Sequence, residues 1–226
     1  MSRLAATGWR AKPARSPANS GLILRWIDAD SYIVARVRET NPGFDITQWE
    51  NGTAERLAGL DITAVYASDL GRARETGELI AAPHGLAVKT VQGLRERCYG
   101  AFEGKTGEEI RADDAEVFER WLGDRQGLAP PGGETQRELS ERAVRALREI
   151  AGAHAGETVA VATHGGPIKS AVFAVLEIPI GSWDRTWVSN GSVTVLKGDD
   201  SELKVACFND TSHLDSMVVR EPAVED

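Results

Sequence analysis

A chain of 226 residues, 42% hydrophobic and 27% charged, is long enough for one sizeable core and too apolar to be disordered. Its formal net charge of −8 argues against a broad cationic face for nucleic acid or an anionic membrane, so an anionic ligand would have to meet a local positive pocket. Its two cysteines, Cys98 and Cys207, are too few for a disulfide framework and lack metal-ligand spacing, which places the chain in a reducing cytoplasm and predicts no metal site.

In chain order, residues 1–20 read as a flexible leader with Pro13 and Pro17. They lack the apolar centre of a signal peptide, and no stretch of the chain approaches the ~20 apolar residues of a membrane span. A single domain is expected over 21–214, followed by a tail at 215–226. The apolar run of LILRWIDADSY predicts a strand over 21–26 that carries Arg25 and Trp26 to its end. Further strands are expected at 63–68, 87–91 and 157–163. Valine- and isoleucine-rich runs alternating with segments of helical period predict a three-layer α/β/α sandwich, its mostly parallel, mixed sheet covered by helices on both faces. The stretch SVTVLKGDDSELKVACFND alternates on both sides of Gly198-Asp199-Asp200, which predicts a hairpin and an antiparallel edge.

The clearest helix runs from Thr135 to about His154. Leu139, Ala143, Leu147, Ile150 and Ala151 fall on one face, and Thr135-Gln-Arg-Glu138 supplies a capping box. A second box, Thr106 to Glu109, opens another helix.

Chemistry-bearing residues gather where strands end and helices begin, as open α/β sheets arrange their sites. In VAVATHGGPIKS a buried strand delivers His164. Gly165 and Gly166 then let the backbone approach a ligand at a helix start, where amide donors and the positive dipole end suit an anion. In YASDLGRARET, Arg72 and Arg74 lie in the first turns of a helix that Ser68 or Asp69 is expected to cap. Cations are unfavourable there unless an anion joins them. In LRERCYGAFEG, Glu96 lies between two arginines; it reads either as a surface glutamate paired with Arg95 or Arg97, or as a partly buried proton donor. Cys98 is expected to be a buried structural thiol. Trp26 reads either as a packing residue or as a face able to stack on a planar ligand; Trp49, Trp183 and Trp187 read either as core or as lining the same rim.

Taken together, YASDLGRARET, LRERCYGAFEG, PPGGET, VATHGGPIK and NDTSHL resemble, in this order, the motifs of the histidine phosphatase superfamily, which includes the cofactor-dependent phosphoglycerate mutases. The resemblance covers roughly Gly21 to Leu214. It implies that Arg25, Arg72 and Gly165 bind phosphate, that Glu96 is the general acid and that His164 is the second histidine, with no cofactor. In that family a strand ends in L-x-R-H-G-[EQD], and its histidine becomes phosphorylated. Aligned at Arg25, Trp26 replaces the nucleophile and Ile27 the glycine, and the loop over Asn41 to Gly59 is short. Indole has no usable lone pair. Two functions remain open: a repurposed enzyme or ligand-binding pseudophosphatase that keeps an anion pocket, or a hydrolase of small phosphorylated molecules that uses His164, Glu96 and an activated water. The expected partner is a small anionic or phosphorylated molecule, not nucleic acid or membrane; self-association is left open.

Overall fold

The computed structural model describes residues 31–36, 47–198 and 202–214, with residues 31–36 and 47–50 described by their backbone alone. One six-stranded sheet has the order β3-β2-β4-β1-β5-β6. Its strands are β1 (Ser31–Arg36), β2 (Ile62–Ala67), β3 (Val88–Thr90), β4 (Thr158–Thr163), β5 (Val193–Gly198) and β6 (Leu203–Asp210). The first four are mutually parallel, whereas β5 runs antiparallel to both β1 and β6. The expected mixed sheet with an antiparallel edge is what forms, although the centre of the hairpin lies outside the described residues.

Helices cover both faces because β4 is buried on both. Val159 and Val161 join Leu147, Ile150 and Ile168, which come from α5 (Gln136–Ala153) and α6 (Gly165–Val175). On the other face, Ala160 joins Ala54, Leu57 and Ile80, which come from α1 (Thr47–Leu57) and α2 (Gly71–Ala81). A continuous run of small β-branched and alanine residues is the sequence form of such a strand. The remaining helices, α3 (Gly107–Asp113) and α4 (Ala115–Gly123), close a satellite cluster around Phe102, Ile110 and Phe118.

Local signals translate directly. Both capping boxes form: the Thr106 and Thr135 hydroxyls accept from the amides of Glu109 and Glu138, and each carboxylate reaches back to its cap residue. Leu139, Ala143, Leu147, Ile150 and Ala151 are all buried. At the end of β6, Arg56 binds Asp210 at 2.5 Å and, just beyond, Ser212 at 3.1 Å. The NDTSHL segment therefore fastens α1 to the last strand.

The predicted strand 21–26 lies outside the described residues, and the strand between β4 and β5 is Ser31–Arg36. Its SYIVAR run has the same β-branched character as LILR, and pairing with β4 selects it. Two other expectations are corrected. The stretch Asn41 to Gly59, read as a loop, contains α1, whose Thr53, Ala54 and Leu57 face inward at helical spacing. Finally, neither Ser68 nor Asp69 caps α2. Its N-cap is Leu70, which makes no side-chain cap bond, while the Ser68 hydroxyl accepts from the Leu70 amide at 3.3 Å.

Leu57 is 1% exposed between α1 and the sheet. Leu57→Ala is expected to lower the unfolding free energy by about 2–5 kcal/mol, measured by urea denaturation; a change below ~1 kcal/mol would mean that α1 is not packed as described.

Candidate anion-binding site

Strands β1, β2 and β4 end side by side. Arg36 is in register with Thr163, and Ala67 with Ala162. The Ser68 amide extends the β2 pairing by donating to the Ala162 carbonyl at 2.9 Å, and the Thr163 hydroxyl fixes the turn before Glu96 by donating to the Leu94 carbonyl at 2.7 Å. From this edge two helices start, α2 after Leu70 and α6 after His164. Neither N-cap residue makes a side-chain cap hydrogen bond. Helix starts of this kind leave amide donors and a partial positive charge facing the same place.

His164 is fully buried at the end of β4. Asp69 follows β2, and His164 follows β4, the strand paired with it, which sets the two turns beside each other. Arg72 stands at the second position of α2. Its Nε is buried and has no hydrogen-bond partner among the described residues. A buried guanidinium nitrogen left without an acceptor is costly in isolation, and it sits at the helix end where a cation is electrostatically wrong unless an anion accompanies it.

Glu96 is half-buried, and each of its oxygens accepts a backbone hydrogen. Oε1 takes that of Arg97 at 2.8 Å, and Oε2 that of Gly166, in the first turn of α6, at 3.0 Å. A Cβ at Gly166 would collide with Glu96 Oε1 and lie 2.8 Å from Leu139 Cδ2, so a larger residue there would displace the Glu96 carboxylate. The side chains of the neighbouring arginines go elsewhere. Arg95 donates to both Asp69 oxygens, at 2.7 and 2.6 Å. Arg97, buried, donates to the carbonyls of Glu134, Arg125 and Leu128 and to Gln136 Oε1. The simple surface pairing expected as one reading of Glu96 is therefore not what these arginines make.

The turn that carries Glu96 is braced from α5. Arg142 donates to the carbonyls of Gly93, Arg95 and Glu96 at 3.0, 2.7 and 2.9 Å, and binds both oxygens of Glu134. Glu134 in turn accepts from the Cys98 amide at 2.9 Å. This explains why PPGGET accompanies LRERCYG. At Gly100, with φ 51°, a Cβ would strike the Pro131 carbonyl and come within 2.5 Å of the Gly133 amide.

Of the residues singled out from sequence, Arg72, Glu96, His164 and Gly165 come together at this edge. Arg25 and Trp26 lie outside the described residues. Cys98 is exposed, against the buried thiol expected; its Sγ lies 3.8 Å from the Gly132 carbonyl. Trp183 and Trp187 do line a cavity with Glu96, and Trp49's side chain is not described. The backbone of Arg36, at the end of an apolar run as Arg25 is, also reaches this edge. Sequence reading missed the Arg142 brace, for which a helix-face arginine gives no signal. Among the described residues no cluster could hold a metal, and no helix is long and apolar enough to cross a membrane.

The Arg95 hydrogen bonds hold the Asp69 carboxyl below the usual carboxylate range, against the opposing effect of burial. Because the folded value is depressed, Asp69's contribution to stability is complete above the unfolded value of ~3.9 and is lost as pH falls through the folded one. Arg95→Met should raise the Asp69 titration midpoint, followed by carboxyl-carbon NMR; an unchanged midpoint would show that the pair does not form in solution.

Residues 50–211 match the sequence profile of the histidine phosphatase superfamily, branch 1. Among curated proteins, the chain is 35% identical over 166 residues to phosphoglycerate mutase-like protein 4 of Arabidopsis thaliana, covering 72% of this chain and 71% of that one. It is 32% identical over 170 residues to the metal-independent phosphoserine phosphatase of the same plant, covering 73% and 68%. Among solved structures, Bacillus stearothermophilus YhfR superposes with a TM-score of 0.74 at 28% identity, covering 82% of this chain and 99% of that one. The alpha-ribazole phosphatase of Shigella flexneri superposes at 0.71 with 18% identity, covering 80% and 96%, which is a likeness of fold.

Proposed function

We propose, from the premise that this chain belongs to the histidine phosphatase superfamily, that it binds a small phosphorylated molecule in a retained anion pocket without forming a phosphohistidine. In this reading Arg72 and the Gly165 helix start hold the phosphoryl oxygens, with His164 beside them and Glu96 at the side of the leaving group. The observation that carries this reading is the buried Arg72 Nε, which has no partner among the described residues, at a helix start next to His164. Similarity to a phosphoserine phosphatase supports a small phosphate ester as the ligand.

The loss of the nucleophile rests on composition. The four histidines are His84, His154, His164 and His213, so no histidine precedes residue 84 whichever strand end is aligned with the family's L-x-R-H-G-[EQD]. The position of β1 favours Val34-Ala35-Arg36-Val37-Arg38-Glu39 for that segment over the alignment at Arg25 and Trp26, because β1 is the strand beside β4. Val37 would then stand at the nucleophile position and Arg38 at the glycine. A valine side chain, like an indole, has no lone pair with which to attack phosphorus.

A second reading is favoured by the survival of both His164 and Glu96: a hydrolase in which water replaces the nucleophile. The water oxygen would bond to phosphorus as the ester P–O bond breaks. The water's proton would pass to His164, while Glu96 would give its own proton to the leaving oxygen. Against it, both Glu96 oxygens already accept amide hydrogens, and carrying the proton to be donated would weaken one of those bonds. The pseudophosphatase reading is therefore preferred.

Calorimetric titration with inorganic phosphate is expected to show binding that Arg72→Ala weakens at least ~10-fold, the loss of one charge-assisted contact; wild-type protein that binds no phosphate would sink the anion pocket. Restoring the nucleophile locates the motif. Val37→His with Arg38→Gly should raise para-nitrophenyl phosphate hydrolysis by an order of magnitude or more, since nucleophile removal costs up to ~10⁶-fold. A gain from Trp26→His with Ile27→Gly instead would return the motif to residues 25–28.

A further inference from the structure

The start of α6 has few donors to give a ligand. His164 is its N-cap, and the helix opens with Gly165, Gly166 and Pro167. Proline has no N–H, and the Ile168 amide already donates to the His164 carbonyl at 3.2 Å. Gly165 and Gly166 therefore carry the helical amides that an anion could take. One of them is occupied, because Gly166 donates to Glu96 Oε2 at 3.0 Å.

The carboxylate is held in that place. Its other oxygen accepts from the Arg97 amide at 2.8 Å, and the turn behind it is tied to α5 by Arg142, which donates to the carbonyls of Gly93, Arg95 and Glu96 at 3.0, 2.7 and 2.9 Å. Releasing Gly166 would mean turning the Glu96 side chain off its amides or moving a braced turn. A carboxylate on a helix-start amide is a charge-assisted contact of the kind an external oxyanion makes. Glu96, Gly165 and Gly166 all line one cavity of ≈ 230 Å³, room enough for a phosphate-sized ion to reach the same amides. The internal and the external anion therefore compete for one donor.

We infer that Glu96 is a resident anion, an autoinhibitory contact that occupies the Gly166 amide, leaves Gly165 to the ligand and holds down the affinity for phosphate. The inference rests on the anion pocket proposed above, and deepens it by giving Glu96 a regulatory task that is independent of any reaction.

The test titrates the full chain and two variants with sulfate, whose charge is constant near neutral pH, by calorimetry. Glu96→Ala removes the carboxylate. Glu96→Asp keeps its charge but, one methylene shorter, falls short of the Gly166 amide. Both variants are expected to bind sulfate at least ~10-fold tighter than the wild type, the contribution of one charge-assisted contact. Tightening in Glu96→Ala with none in Glu96→Asp would mean that Glu96 acts by through-space repulsion alone, and would overturn the contact. Wild-type binding that neither variant improves would overturn it too, while leaving the anion pocket standing. If none of the three proteins binds sulfate, the pocket is wrong and the inference goes with it. Amide hydrogen exchange followed by NMR supplies a check that needs no variant to fold: the Gly166 amide should be protected in the sulfate-free wild type, and an unprotected one there would overturn the contact. In Glu96→Ala that amide should exchange at least tenfold faster, and saturating sulfate, standing in for the carboxylate, should slow it again.

Discussion

Parallel pairing of β4 with strands on both sides is the constraint on which the site depends. Three strands that run the same way end at one edge, and the segments after two of them, β2 and β4, turn at once into helices. The register Arg36 to Thr163 and Ala67 to Ala162 therefore sets two helix starts side by side, and neither helix is capped by a side chain. Had one of these strands run antiparallel, a carboxyl-terminal helix end of opposite polarity would stand there, and the same residues would repel an anion.

Within this frame the arginines divide into two uses. Arg97 and Arg142 spend their donors on backbone carbonyls and on Glu134 or Gln136, which ties the Glu96 turn to the start of α5. Arg95 is held by Asp69. These are structural cations whose charge the fold itself answers. Arg72 differs in leaving a buried Nε without a partner among the described residues, and in a chain of net charge −8 that local excess is what an anion would read. Glu96 is held by two amides, one of them from a glycine at which a larger residue would displace the carboxylate.

How much of this the sequence disclosed follows from the range of each signal. Capping boxes at Thr106 and Thr135, the inward face of α5 and the doubly buried β4 are local patterns, and they were legible because nearby residues determine them. The placement of Arg72, Glu96 and His164 at one edge was legible from their strand-end positions. Strand β1 was not, because YIVAR is a short apolar run whose place in the sheet is set by pairing with β4, more than a hundred residues on. Similarly, the Arg142 brace joins residues 46 to 49 apart, and the exposure of Cys98 depends on how the PPGG turn packs beside it. The cavity lined by Glu96, Trp183 and Trp187 shows the same division: its tryptophans were visible as candidates for a rim, while the burial of Gln136 against Arg97 emerges only in the fold.

The central claim is that an anion belongs at the shared edge of β2 and β4. A crystal soaked in tungstate and measured at the tungsten absorption edge tests it most directly, since the anomalous peak locates a phosphate analogue without assuming any reaction. The account predicts a peak with its oxygens about 2.7–3.2 Å from Arg72 Nε and the Gly165 amide, beside the His164 ring. A well-ordered crystal with that edge empty at saturating tungstate, or with the anion bound only at surface lysines, would contradict it.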